Sequence, residues 1–389
     1  MIHTTKGVTT AQGFLAAGVT AGLKKSGKKD LALVVNEGPK YTAAAVFTTN
    51  RFPAAPVQWS REATDDNRLR AVVLNSGGAN ACTGERGLAD ARLMAESVAY
   101  HLGCEATDVA VASTGLIGEH LPMDIVVEGI ASAADNLSDD GGGAAAEAIM
   151  TTDTVSKQAA YVSKQGWSVG GMAKGAGMLA PALATMLVVI TTDADLTDDE
   201  AGDALGRATH VSFDRADSDG CMSTNDTVVL MANGRSEISP DMEEFVEALT
   251  QVCVSLARQL IADAEGAEHA ITITVTSAAT EEDALEVART VTRSNLFKCA
   301  IAGNDPNWGR VLASVGTTKA QFDSDEVDVF FNDVPVFFAG APDVPRDAVD
   351  LKGFDVEVRI NLHAGDEEAT IWTNDLTHGY VSENADYSS

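Results

Sequence analysis

Lys174 sits among Gly170, Gly171, Gly175 and Gly177, and the apolar run Met186-Leu187-Val188-Val189-Ile190 follows directly on Thr185. Glycines let a backbone take strained conformations and approach reacting groups closely. An apolar strand would then hold the hydroxyl at its head rigidly, which is what a hydroxyl nucleophile needs. The same pattern also describes a glycine-rich loop before a buried strand, with threonine as an ordinary strand residue. A phosphate loop is excluded, because Lys174 lacks the preceding Gly-x-x-x-x-Gly spacing that cradles phosphates.

Other segments offer supporting groups. Ala112-Ser113-Thr114-Gly115 ends an apolar run at a glycine turn, where successive backbone N–H groups suit an oxyanion hole for acyl transfer. Such tetrapeptides also make plain turns. Asn75-Ser76-Gly77-Gly78-Ala79-Asn80-Ala81-Cys82-Thr83-Gly84 is either a structural nest, in which Asn side chains satisfy backbone groups, or a site lining. Asn304-Asp305-Pro306-Asn307-Trp308-Gly309-Arg310 joins a Pro-fixed turn, an aromatic and a cation, and the tail 374–389 has enough aromatic and branched residues to dock rather than fray.

Metal chemistry finds no support. The five cysteines are widely spaced without a Cys-x-x-Cys pair, and the seven histidines form no His-Glu-x-x-His helix. Buried, reduced thiols are expected rather than disulfides or zinc, and no metal or cofactor is expected. A formal charge of −30 argues against nucleic acid, which demands clustered Lys and Arg, and against an anionic membrane surface. It fits a solvated shell or a salt-adapted host. The N-terminus lacks the basic start and apolar stretch of a secretory signal, and no run approaches about 18 apolar residues, so a cytoplasmic enzyme without a membrane span is expected.

The elements that must position these groups are mixed. A chain of 389 residues suffices for two or three domains. Apolar, β-branched runs at 31–35, 43–48, 71–75 and 109–113 predict strands, with helices at 86–102 and 124–135. A Ser-Asp-Asp-Gly-Gly-Gly patch predicts a surface loop entering a short helix near 138–146, and 155–164 with 167–172 a hairpin turning near Gly166. Helices are predicted at 198–210, 242–262 and 281–293, and strands at 271–276, 327–331, 356–361 and 369–372. With no internal repeat and no long linker, the parts are expected to pack as one body.

Taken in order, 75–84, 113–115, Met150-Thr151-Thr152-Asp153, 170–194, Ser223-Thr224-Asn225-Asp226-Thr227, 304–310 and the tail to Ser389 resemble the motifs of the ornithine acetyltransferase family. The family is also called glutamate N-acetyltransferase, a bifunctional arginine biosynthesis protein. The resemblance covers nearly the whole chain. It implies an α/β layered sandwich, central β-sheets flanked by helices, of the self-processing N-terminal-threonine acyltransferase type, with a smaller C-terminal α/β domain.

The resemblance further implies a precursor that cuts itself between Ala184 and Thr185. The products would be an α chain of 1–184 and a β chain of 185–389, the latter holding smaller α/β domains at about 197–280 and 281–389. The freed α-amine would supply the base that no histidine is placed to supply. Thr185 would take acetyl from N2-acetyl-L-ornithine and pass it to L-glutamate by a ping-pong cycle, with Thr114 and Gly115 as oxyanion donors. Thr151, Lys174, Thr185, Glu265, Asn384 and Ser389 match the family's substrate contacts, and the tail, ending in serine where the family commonly has threonine, would close the pocket. The implied partners are these small molecules, the two chains for each other, and further αβ units in a homo-oligomer. Acetyl-CoA as a second donor stays open. The rival readings are a self-processing aminopeptidase or amidase, in which water resolves the acyl enzyme, and a non-enzymatic acidic binding protein, which explains the charge but none of the motifs.

Overall fold

Apolar strand runs with no polar alternation need cover on both faces, and this requirement shapes the first part of the chain. The computed structural model describes residues 6–180 and 186–386, Arg346 and Asp386 by backbone alone. The chain divides into two units, the described parts of Met1–Asp214 with Cys221–Leu260, and Arg215–Gly220 with 261–386.

The first unit runs β1 (Phe14–Val19), β2 (Leu31–Asn36), β3 (Thr42–Phe47), α1 (Ala55–Ala63), β4 (Ala71–Asn75), α2 (Gly84–Leu102), β5 (Val109–Ser113), α3 (Met123–Asp135) and α4 (Gly142–Ala148). It continues with β6 (Lys157–Val162), β7 (Ser168–Lys174), β8 (Leu187–Thr192), α5 (Asp198–His210), β9 (Thr227–Ala232) and most of α6 (Met242–Ala262). Two sheets form, ordered β1-β2-β4-β5 and β3-β9-β8-β7-β6. Only β4 with β5 and β8 with β9 pair in parallel in these sheets. Strands β2, β4, β8 and β9 are buried at every position. One core joins both sheets, with Leu33 and Val73 from the first and Met172, Val189 and Val229 from the second, while α1, α2 and α3 cover one sheet and α5 the other. This is the layered α/β arrangement expected from the sequence.

By length and composition helix α6 is apolar enough to cross a membrane. Its apolar stripe, Phe245, Leu249, Val252, Leu256 and Leu260, is buried, and Phe245 packs on Trp167 with ring centroids 5.5 Å apart. Burying such side chains contributes about 1.5–3 kcal/mol each, which makes α6 a core helix. The thiols correct one expectation, because Cys253 is buried but Cys82, Cys221 and Cys299 are exposed.

The second unit runs β10 (Ala270–Ala278), α7 (Glu281–Thr292), α8 (Asn295–Ala302), α9 (Trp308–Val315), β11 (Asp328–Phe331), β12 (Val334–Phe338), β13 (Ala341–Pro342), β14 (Asp355–Asn361), β15 (Glu367–Asn374) and α10 (His378–Asp386). Its sheet is ordered β13-β12-β11-β14-β10-β15. The inward residues Ile271, Ile273 and Val275 pack with Val287 and Val291 of α7. The expected smaller domain at 197–280 does not stand alone. Strand β9 pairs between β3 and β8, so α5, β9 and most of α6 belong to the first unit.

Candidate active site

Parallel strands β4 and β5 end side by side, with Asn75 opposite Ser113. The Ser113 hydroxyl donates to Asn75 Oδ1 at 2.5 Å, and the Thr114 N–H donates to the Asn75 carbonyl at 3.0 Å. Thr114 returns its own carbonyl to the Gly78 N–H at 3.0 Å. Gly115 has φ 129°, and a Cβ there would lie 2.8 Å from Gly78 N, so only glycine lets the two turns meet. Asn225 braces both, its Nδ2 donating to the carbonyls of Ala79 at 2.6 Å and Ser113 at 2.8 Å. The 75–84 cluster is therefore a nest that shapes the turn beside it.

This geometry refines the oxyanion reading. The Thr114 N–H is already engaged, so two successive backbone N–H groups are not both on offer. The Thr114 hydroxyl remains, and Lys174 Nζ donates to its oxygen at 3.3 Å, which leaves the hydroxyl hydrogen to point elsewhere.

Lys174 ends β7 and is almost fully buried. Its ammonium also donates to Thr151 Oγ1 at 2.7 Å and stands 3.9 Å from Asp153 Oδ2. Asp153 accepts from Lys157 Nζ at 2.6 Å, the Gly175 N–H at 2.7 Å and the Thr151 N–H at 2.9 Å. Burial alone would push this carboxyl up, but the Lys174 and Lys157 ammoniums and the Gly175 N–H outweigh it and hold it below the usual carboxylate range.

The described chain resumes at Met186, which is clamped on both sides. Its N–H donates to Asp226 Oδ1 at 3.0 Å, and its carbonyl accepts from the Thr227 N–H at 3.1 Å. Burial pushes the Asp226 carboxyl well above its usual range, against the pull of the Met186 N–H and of Lys174. Thr114, Gly115, Thr151 and Lys174 are thus brought together, while Ala184 and Thr185 lie outside the described residues. Asp153, Lys157 and Asp226 gained no role from sequence, although Asp153 closes one motif noted there and Asp226 lies within another.

Glu265 and Asn384 meet within the second unit, where Asn384 Nδ2 donates to Glu265 Oε2 at 3.0 Å. Helix α10 docks on the same turn. The Thr377 hydroxyl donates to the Gly266 carbonyl at 2.5 Å, and a Cβ on Gly266, at φ 62°, would lie 2.1 Å from Tyr380 N. Beside it is a cavity of about 280 Å³ lined by Glu265, Arg293, Lys298, Asp375 and Tyr380 among others. Ser389 lies outside the described residues.

The arrangement can gather cationic and hydroxyl donors around an acyl oxygen or a carboxylate. The sequence matches the family model described as the ArgJ family over residues 15–389. The arginine biosynthesis bifunctional protein ArgJ of Streptomyces avermitilis is 58% identical over 98% of this chain and 100% of its own length. The protein of the same description from Thermobifida fusca is 56% identical over the same shares. A solved structure, ornithine acetyltransferase complexed with ornithine from Mycobacterium tuberculosis, is 52% identical, covering 48% of this chain and 99% of that one with a TM-score of 0.46.

Proposed function

This chain belongs to the ArgJ family of acyltransferases of arginine biosynthesis, and from that premise we propose that it moves acetyl from N2-acetyl-L-ornithine to L-glutamate through an acetyl-Thr185 intermediate in the cytoplasm. The observation that carries the reading is the Lys174 ammonium bonded to both Thr114 and Thr151, a buried cation beside a turn whose hydroxyl hydrogen suits a developing oxyanion.

The precursor would first open its own chain. The Thr185 hydroxyl attacks the Ala184 carbonyl, the Thr185 nitrogen leaves with the proton, and water hydrolyses the resulting ester. This frees an α-amine with an ordinary pKa of about 7.7–8.0, able to take the hydroxyl proton of the same residue. In the first half-reaction the Thr185 oxygen attacks the acetyl carbonyl of acetylornithine, and L-ornithine leaves carrying a proton delivered through the α-amine. In the second, the neutral amine of L-glutamate attacks the acetyl ester and Thr185 recovers its hydroxyl. The Thr114 hydroxyl and Gly115 N–H would hold the charge of each tetrahedral intermediate. The cycle consumes no cofactor. Lys174 would take a substrate carboxylate, with Thr151 beside it. Glu265 would take the ornithine side-chain ammonium, with Asn384 and Ser389 as further contacts from the tail.

Mass spectrometry of the purified protein and product assays test the proposal together. Two chains divided before Thr185, an uncut Thr185→Ala protein, and glutamate-dependent N-acetylglutamate formation are expected. Thr114→Val should lose about 10²- to 10³-fold in turnover while Thr114→Ser keeps most of it. An uncut active protein, or acetyl release to water that ignores glutamate, would overturn the reading.

A further inference from the structure

The proposed cycle sets a charge problem. The enzyme must accept a substrate with a side-chain cation in the first half-reaction and one with a side-chain anion in the second. We propose that Lys24 is the second carboxylate-binding cation, seating the side-chain carboxylate of the dicarboxylic acceptor while Lys174 takes the other; this rests on the transferase reading above.

Lys24 is placed with precision. The buried Asp30 carboxylate accepts from four successive backbone N–H groups, those of Ala21, Gly22, Leu23 and Lys24, at 2.6, 3.1, 2.6 and 2.9 Å. The loop so wrapped rests on the active-site turn. A Cβ on Gly77 would lie 2.3 Å from Leu23 Cβ, and Gly78 next to it is the residue bonded to Thr114.

From this loop Lys24 Nζ donates to the Met150 carbonyl at 2.6 Å and the Lys29 carbonyl at 2.9 Å. Met150 is bonded to Thr151, whose hydroxyl holds Lys174 Nζ at 2.7 Å. The two ammoniums are therefore held on adjacent residues, Lys24 on the Met150 carbonyl and Lys174 on the Thr151 hydroxyl. Two carbonyls occupy two of the three N–H groups of Lys24, and among the described residues the third is left for a ligand.

Charge agrees with geometry. In a chain of net −30, Lys24, Lys25, Lys28 and Lys29 fall within one short loop. Lys29 pairs with Glu147 at 2.6 Å, and Lys25 and Lys28 are exposed. Burial, joined by Lys174 and Lys28 and opposed by Asp30 and Asp153, brings the Lys24 ammonium down to about 8. An incoming carboxylate relieves the repulsion between the two cations.

The test compares acceptors on one enzyme. The ratio of kcat/KM for L-glutamate to that for L-glutamine, which lacks only the side-chain charge, should fall about tenfold or more in Lys24→Met, mainly through KM, and recover in Lys24→Arg. In the wild type, kcat/KM for glutamate should decline above about pH 8 as Lys24 loses its proton, and this limb should vanish in Lys24→Met. An unmoved ratio, or an equal loss in ornithine release from acetylornithine, would overturn the assignment while leaving the transferase reading intact. A wild type that makes no N-acetylglutamate would overturn both.

Discussion

Asp153 and Asp226 are two buried carboxyls coupled to the same lysine, and their surroundings drive their protons in opposite directions. Asp153 accepts from two backbone N–H groups and Lys157, while Asp226 accepts from the Met186 N–H and its Oδ2 has no hydrogen-bond partner among the described residues. A carboxyl held low in the fold adds stability above its unfolded pKa of about 3.9 and gives it up as pH falls through the folded value. Asp153→Asn should therefore cost about 3–5 kcal/mol in urea unfolding at pH 7, because it leaves two buried ammoniums short of their counter-charge. The gap should narrow only as pH drops below about 4. A carboxyl raised in the fold behaves the other way, since the folded state keeps a proton that the unfolded chain releases. Asp226→Asn should melt no lower than the wild type at pH 7, and it should escape the loss of stability that this group imposes as pH rises above about 4.

At the scale of elements, the tail is held by one turn. Gly266→Ala would drive a methyl into the Tyr380 backbone, so α10 must lift. The expected outcome is faster proteolysis within His378–Asp386 and lost transfer, with cutting before Thr185 unaffected; α10 protection equal to wild type would refute this anchoring role. Much of this scale was legible in the sequence. The β-branched runs gave β2, β4, β5 and β8, and the three-to-four spacing gave α2, α6 and α7. Strand β1, with Ala16, Ala17 and Gly18 at its centre, carries too little branched surface to signal itself, and α1 begins amid Pro53 and Pro56, which read as turn punctuation. Asn307 hides α9 inside an apparent turn, because it is the N-cap and accepts from the Arg310 N–H at 3.2 Å. Thr114, Thr151 and Lys174 could be found because motifs carry them. Their partners could not, since Asp153 reaches Gly175, Asp226 reaches Met186 and Lys24 reaches Met150 across separations of 22, 40 and 126 residues, where no periodicity speaks.

At the scale of the whole molecule, the proposed substrates would feel the −30 charge before they feel any lysine. L-glutamate carries a net negative charge, whereas N2-acetyl-L-ornithine pairs one carboxylate with one ammonium. Salt screens distant charges far more than close, buried ones. Raising salt from about 0.05 to about 0.5 M should increase kcat/KM for glutamate and leave that for acetylornithine nearly flat, as steady-state assays at fixed pH would read. The order of the five-stranded sheet has its own consequence. Strands β3, β7 and β6 come from before the 175–186 connection, and β8 and β9 come from after it. Opening that connection would change the number of chains without letting either product complete the five-stranded sheet alone, because six residue pairs join β3 to β9 and six more join β7 to β8. The halves could then part only by unfolding, and each, made alone, would expose strand edges that only its sister can close.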